Sequence, residues 1–328
     1  MNPSVIVTRR WPPRVEAKLE ASFNVTFNRD DRPMSADVLR AALTEFDAIL
    51  PTVTDKLDQR IFAGLETKDV KTKIIANFGV GFSHIDVGHA ERLGIQVTNT
   101  PGVLSECTAD IAILLMLMAA RRGGEGEREV RGGHWSGWCP THMIGHKVSG
   151  ATLGIVGFGR IGKETAQRAN GFGMKVIVHN RSAVAKTELE KYQAVQVESL
   201  DKLLTDSDFV SLHCPGGKEN VGLIGANEFA LMKPNAFIVN TARGEVIEEA
   251  AMIEALSANK IAGAGLDVYQ NEPAINPRLL ELNNVVALPH LGSASATTRN
   301  EMGYCVIDNL TAFFAGSEPP NIVSTPNP

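Results

Sequence analysis

The segment Gly157-Phe-Gly159-Arg-Ile-Gly162 constrains this chain more than any other. An apolar strand-like run, Leu153-Gly-Ile-Val, precedes it, and a helical pattern from Lys163 to Asn170 follows. In that context the glycines divide the work. Gly157 permits the tight turn, Gly159 lets the backbone approach a pyrophosphate, and Gly162 allows close packing of helix on strand. Glycines serving only a turn would not need the strand before and the helix after. The helix N-terminus offers free N–H groups and its positive dipole end to phosphates. Phe158, Arg160 and Ile161, interleaved with the glycines, complete the expected cofactor turn.

The rest of the chain repeats the strand–helix alternation. In the N-terminal third, short strands are expected at Val5–Val7, Ala48–Leu50, Ile74–Asn77 and Gln96–Asn99, with helices between them such as Arg14–Ser22. A second series comprises Leu153–Val156, Lys175–His179, Phe209–His213, Phe237–Asn240, Gly265–Val268 and Val285–Leu288. Between its members lie helices, of which Glu248–Ala258 has the clearest amphipathic spacing. This alternation reads as α/β with largely parallel sheets. At about 150 residues per domain, 328 residues suggest two domains. Long helical patterns at Thr108–Arg121 and Ala294–Ala315 bracket the second series. The dinucleotide-binding domain, residues 101–290, is therefore expected as an insertion into a domain made of 1–100 and 291–328, leaving a cleft between two lobes.

Composition narrows the class. Hydrophobic residues make up 44% and charged residues 21%, enough to build full cores and against disorder. Lys plus Arg number 32 against 37 for Asp plus Glu, a net charge of −5 that suits nucleic acid poorly. Cys107, Cys139, Cys214 and Cys305 show neither disulfide nor zinc spacing, so a cytoplasmic, reducing location is expected. Ser4-Val-Ile-Val-Thr reads as a strand rather than a signal peptide. The longest apolar run, Ile111–Ala120, is half of what a membrane span requires. His142 and His146 are four apart, but Gly145 disfavours a helix there and no metal is expected.

Cofactor choice rests on the end of the second Rossmann strand, where an NAD site usually places a carboxylate for the ribose 2'-OH. Here Val178-His179 leads into Asn180-Arg181-Ser182. Asn180 in the acid's place removes repulsion towards a 2'-phosphate, and Arg181 and Ser182 can bind one, unless Arg181 is only a solvated loop residue. NADP(H) is favoured, with NAD(H) possible.

Three further segments carry polar residues at expected strand ends: Asn240-Thr-Ala-Arg243, Leu266-Asp267 through Glu272-Pro273, and Leu288-Pro-His290-Leu-Gly-Ser293. Their order and spacing, the glycine turn, and Phe78-Gly79-Val80-Gly81 through Asp86 resemble the D-isomer-specific 2-hydroxyacid dehydrogenases. The resemblance spans about residues 45–315 and is strongest to the glyoxylate/hydroxypyruvate reductases. It implies a Rossmann-type domain inserted into a smaller, flavodoxin-like α/β substrate domain, and a homodimer. The chemistry is consistent with this. Arg243 can grip carboxylate and carbonyl oxygens, His290 suits proton transfer near neutral pH, and Glu272 beside it would stabilise an imidazolium. By resemblance, the N–H groups of Val80 and Gly81 would hold the substrate carboxylate. Thr108, Cys214, Pro215, Thr241, Ala242 and Gly292 would line the cofactor channel. Asp267 would lie near the nicotinamide or serve packing. Trp138, in the Gly-rich stretch Arg131–Trp138, would reach a partner's active site or only pack at the interface.

The leading expectation is NADPH-dependent reduction of small 2-keto acids, glyoxylate to glycolate and hydroxypyruvate to D-glycerate. A broader NAD-linked D-hydroxyacid dehydrogenase is the second reading, although no C-terminal regulatory domain is expected after the last helix. Glu272 disfavours a formate dehydrogenase, which would resemble a Gln–His pair. A nucleotide-sensing scaffold is the third reading. The turn Gly216-Gly-Lys-Glu-Asn220 departs from the Thr-Pro-Glu-Thr-like turn common in the family and leaves its cofactor-facing detail open.

Overall fold

The computed structural model describes residues 2–324; residue 1 and residues 325–328, the end of the Pro-, Ser- and Asn-rich tail, lie outside the described residues. Two compact units follow the chain: one runs to Leu104 and resumes at Ser295, and the other is Ser105–Ala294.

The first unit contains β1 (Ser4–Val7), β2 (Asn24–Phe27), β3 (Ala48–Leu50), β4 (Ile74–Ala76) and β5 (Gln96–Thr98). All five are parallel, in the order β5-β4-β3-β1-β2, and Ile322–Val323 adds an antiparallel edge strand beside β5. The parallel order is the 2-1-3-4-5 of flavodoxin-like sheets. Ile6, Ile49, Ile75 and Val97 from the strands meet Leu39, Leu43 and Ile61 in one core. The helix Ala296–Phe314 belongs here, capped by Ser295, whose Oγ accepts from the Thr298 N–H at 3.1 Å. It packs tightly enough that a Cβ on Gly303 would come within 2.4 Å of Val15.

The second unit contains β6 (Thr152–Val156), β7 (Lys175–His179), β8 (Ala194–Gln196), β9 (Phe209–Leu212), β10 (Phe237–Asn240), β11 (Gly263–Leu266) and β12 (Val285–Ala287). They form one parallel sheet, β12-β11-β10-β9-β6-β7-β8, which is a Rossmann order with an extra strand. The chain leaves β6 in one direction for β7 and β8, then returns to lay β9 on the other side of β6. Ligands of doubly wound sheets bind at that reversal, beyond the carboxyl ends of the strands. Every residue of β9, β10 and β11 is buried, as expected of parallel strands covered on both faces. One face packs Leu203, Phe229, Met252 and Leu256; the other packs Leu115, Met116, Ala166 and Phe209.

One strand differs from its expected position. β11 is Gly263–Leu266 rather than Gly265–Val268. Its first three residues are Gly-Ala-Gly, which carry little hydrophobic signal because other backbone lies against them. A Cβ on Gly263 would sit 2.6 Å from Asn284 O, and one on Gly265 would sit 3.1 Å from Leu115 O. The apolar helix Ser105–Ala120 needs that second gap to lie on the sheet. Asp267 consequently falls just past the strand end. Among the described residues no helix is long and apolar enough to cross a membrane.

Candidate functional site

In the second unit the glycine turn joins β6 to the helix Arg160–Gly171, with Gly159 as N-cap and no side chain capping the helix. Gly157 has φ of 92°, and a Cβ there would lie 2.7 Å from Cys214 N, so the loops after β6 and β9 touch. A Cβ on Gly162 would lie 2.3 Å from Gly157 O and 3.2 Å from Ile155 Cγ2. A Cβ on Gly159 meets nothing within 4 Å. Two glycines thus close the turn on itself, and the third faces open space at a helix end whose first N–H groups lack intrahelical partners. After β10, two strands from β6 in the same sheet, Thr241 Oγ1 is buried without a hydrogen-bond partner among the described residues. An open glycine at an uncapped helix N-terminus and an orphaned hydroxyl fit a pyrophosphate-bearing dinucleotide.

Not every residue of the turn faces outward. Phe158 is 4% exposed, packs edge-on to Tyr192, and donates its N–H to Asn180 Oδ1 at 3.1 Å. Asn180 Nδ2 in turn donates to Ser182 O at 3.1 Å and to Ser182 Oγ at 3.2 Å. Asn180 therefore ties the end of β7 to the glycine turn. Arg181 is exposed and pairs with Glu219, in the departing turn after β9. Neither Asn180's tie nor Glu219 could be anticipated, because both depend on loops brought together by the crossover.

Arg243, Glu272 and His290 follow β10, β11 and β12, adjacent strands of the sheet. His290 Nδ1 lies 2.8 Å from Glu272 Oε2, and Glu272 Oε1 accepts the Tyr269 N–H at 2.9 Å. Burial pushes the Glu272 carboxyl up, but the His290 hydrogen bond and charge, the Tyr269 N–H and the Arg243 charge together bring it below its ordinary value. His290 occupies left-handed backbone, φ 57°, uncommon outside glycine. The brace is Asp267, which is 1% exposed: Oδ1 accepts the Leu291 N–H at 2.6 Å and Oδ2 the Gly292 N–H at 2.7 Å. The His290 N–H also donates to Asp267 O at 3.0 Å, and Thr108 Oγ1 donates to Gly292 O at 3.1 Å. Burial raises the Asp267 carboxyl despite those two N–H bonds.

Arg243 is shaped by its own turn. Asn240 Oδ1 accepts the Ala242 N–H at 2.9 Å, and Asn240 Nδ2 donates to Arg243 O at 2.9 Å. Burial works against the Arg243 charge, while the carboxylates of Glu245 and Glu272 support it. Gly216 leaves room for this arrangement, since a Cβ there would lie 2.5 Å from Glu245 Oε1 and 2.8 Å from Arg243 Cγ. The sequence marks the segments that contain Gly216 and Glu245, but not their packing around Arg243. Cys214 lies beside the turn with its thiol pushed up to about 11 by burial, so it is no nucleophile at neutral pH. Pro215 O accepts from Asn220 Nδ2 at 2.9 Å.

In the first unit, Val80 and Gly81 form a loop after β4. Asn99 Nδ2 donates to Val80 O at 2.8 Å, and Asn77 Nδ2 to Gly81 O at 3.0 Å. Both carbonyls are thus held by side chains that no motif marks in the sequence. Trp138, in the second unit, is 82% exposed, and Trp135, Val130 and Ile144 are exposed near it in the chain. Among the described residues no group of three His, Cys, Asp or Glu could hold a metal ion.

Comparison with known proteins supplies the frame for this geometry. Residues 113–292 match the model for the D-isomer specific 2-hydroxyacid dehydrogenase NAD binding domain, more than half of the chain. A glyoxylate reductase of Thermococcus litoralis is 44% identical over 328 residues, covering 99% of this chain and 97% of its own. That of Korarchaeum cryptofilum is also 44% identical, over 99% and 96% of the two chains. Among solved structures, the NADPH-dependent glyoxylate/hydroxypyruvate reductase of Sinorhizobium meliloti, in complex with NADP and malonate, superposes with a TM-score of 0.87 at 33% identity, covering 99% and 97%. The TT0316 protein of Thermus thermophilus gives 0.89 at 38% identity, covering 98% and 100%. With a Rossmann sheet, a dinucleotide turn and relatives of this identity along nearly its whole length, the chain belongs to the D-isomer-specific 2-hydroxyacid dehydrogenases, oxidoreductases that use a nicotinamide cofactor.

Proposed function

We propose that this enzyme reduces glyoxylate to glycolate and hydroxypyruvate to D-glycerate, with NADPH preferred over NADH and His290 as proton donor. The observation that carries the reading is the 2.8 Å His290–Glu272 bond on the same strand ends as Arg243. Glyoxylate reductases at 44% identity support the substrate. The bound dinucleotide supplies the hydride for C2 of the keto acid. His290 delivers a proton to the C2 oxygen as negative charge develops there. Glu272, held by Tyr269 and facing Nδ1, keeps the ring oriented with Nε2 towards substrate and stabilises it when charged. Arg243 binds carboxylate and carbonyl oxygens through its planar fork, and the N–H groups of Val80 and Gly81 also bind the carboxylate. Asp267 fixes the backbone from His290 to Gly292.

Arg160, Ile161 and Gly162, at the uncapped helix N-terminus, would hold the pyrophosphate through their N–H groups, and Thr108, Cys214, Pro215, Thr241, Ala242 and Gly292 would line the remainder of the channel. The Asn180-Arg181-Ser182 segment, without a carboxylate, supports the NADPH preference. Exposed Trp135, Trp138, Val130 and Ile144 support a homodimer built on that stretch, with Trp138 facing the partner. Four free cysteines support a reducing, cytoplasmic setting.

His290→Asn tests the mechanism, because Asn tolerates the left-handed backbone at this position. Turnover of glyoxylate falls by about 10²–10⁴-fold, the usual contribution of a general acid, while NADPH affinity stays nearly intact. Wild-type turnover, or loss of cofactor binding in step with activity, would contradict the role.

A further inference from the structure

The turn between β9 and β10 puts a carboxylate on the cation that the segment after β7 offers to a 2'-phosphate. Glu219 pairs with Nη1 of Arg181, a residue 38 positions earlier, and the two side chains are 75% and 87% exposed. The turn holds its own shape without this pair. Asn220 Nδ2 donates to Pro215 O at 2.9 Å, the Asn220 N–H donates to Gly217 O at 2.9 Å, and Gly217 takes φ of 110°. On the other side, Asn180 anchors the segment before Arg181 to the glycine turn. Both partners thus sit on fixed backbone flanking the dinucleotide turn, and the guanidinium has two claimants.

We propose that Glu219 is a specificity-determining residue: it competes with the cofactor's 2'-phosphate for Arg181 and so narrows the preference for NADPH over NADH. The inference rests on the reading of Arg181 as the 2'-phosphate ligand. A phosphate that takes Arg181 either displaces the carboxylate from Nη1 or shares the guanidinium with it, and in both cases must tolerate its charge nearby. A cofactor with a bare ribose hydroxyl leaves the pair untouched. Because both groups are exposed, the effect is modest, about two- to fivefold, the range of surface ion pairs. It is also sensitive to salt, which screens exposed charges.

The test is titration of the full-length protein with NADPH and with NADH, followed by nicotinamide fluorescence, for wild type, Glu219→Gln, Arg181→Ala and the double variant. Glu219→Gln tightens NADPH by about two- to fivefold at low salt, less at high salt, and leaves NADH unchanged. In the Arg181→Ala background the same substitution loses that gain. An unchanged NADPH affinity in Glu219→Gln would overturn the proposal while Arg181→Ala still weakens NADPH. The same gain persisting without Arg181 would overturn it too, by reducing Glu219 to a general charge effect. Weaker NADH binding in Glu219→Gln would assign the carboxylate to the ribose hydroxyl instead. If Arg181→Ala leaves NADPH unaffected, the reading of Arg181 itself fails and the competition with it.

Discussion

Replacing Gly162 with alanine separates what the three glycines do. A Cβ there would lie 2.3 Å from Gly157 O and 3.2 Å from Ile155 Cγ2. Carbon contacts are comfortable at about 3.5–4.0 Å, so the overlap with the carbonyl is on the order of 1 Å. The atom struck is backbone, in a residue at φ 92° whose own N–H donates to His179 O at 2.9 Å, and it cannot swing aside. The helix Arg160–Gly171 must lift off β6 instead. Overpacking of this kind costs about 1–3 kcal/mol, offset by about 1 kcal/mol because alanine favours helix over glycine. The net change runs from about zero to a loss of about 2 kcal/mol, which lowers the melting temperature by up to roughly 8 °C for a domain of this size. Cofactor binding suffers more, because the lifted N–H groups lose charge-assisted bonds to phosphate of about 1.5–3 kcal/mol each, or 10- to 100-fold in affinity. Gly171→Ala, at the far end of the same helix, is the control. Its Cβ meets nothing within 4 Å, so it stabilises by about 0.4–1 kcal/mol and spares the cofactor. Thermal unfolding and NADPH titration of both variants give the answer. If Gly162→Ala melts and binds like wild type, the close helix–turn packing is not what the glycine serves.

Two further perturbations test the site's electrostatics. Glu272→Gln lowers glyoxylate turnover by about 10- to 100-fold, since one charge-assisted bond at His290 is lost. The Glu272 carboxyl is held below its unfolded value. Its contribution to stability is therefore present above the unfolded pKa of about 4.3 and is lost as pH falls through the folded one, so the variant and wild type converge in acid; denaturant unfolding at several pH values checks this, and a gap that does not narrow as the pH falls below the unfolded value would refute it. His213 is pushed down to about 3 by burial, with Nδ1 unpartnered and Nε2 2.8 Å from Ser211 Oγ. A histidine that must fold neutral stabilises fully above its unfolded pKa of about 6.5 and progressively less as pH falls towards the folded value. His213→Gln flattens the unfolding free energy across that window; an unaltered slope would show that another group sets it.

Much of this arrangement is legible in the sequence because chemistry and local geometry coincide. The glycine turn can be read because each glycine answers a nearby backbone or an open space. The central strands β6, β9 and β10 can be read because burial on both faces leaves mostly apolar runs. Two edge strands escape for the converse reason: Asn24–Phe27 and Ala194–Gln196 lie at the sheet margins, are partly exposed, and mix polar with apolar residues, whereas the more apolar edge strand Val285–Ala287 is legible. Arg243, Glu272, His290 and Asp267 stand out through their motifs, but the bonds that hold them in place do not. Asp267 bonds to N–H groups 24 and 25 positions later, and Arg181 to a carboxylate 38 positions later. Such pairings are created by the order of strands in the sheet, which no local pattern encodes.

The most direct test is the absorbance of the reduced nicotinamide during incubation of the purified protein with glyoxylate, run in parallel with NADPH and NADH. The account predicts steady loss of absorbance with glyoxylate, faster with NADPH, and none without the keto acid. No loss with either cofactor, from protein that binds both, would contradict the assignment of glyoxylate reduction to this chain.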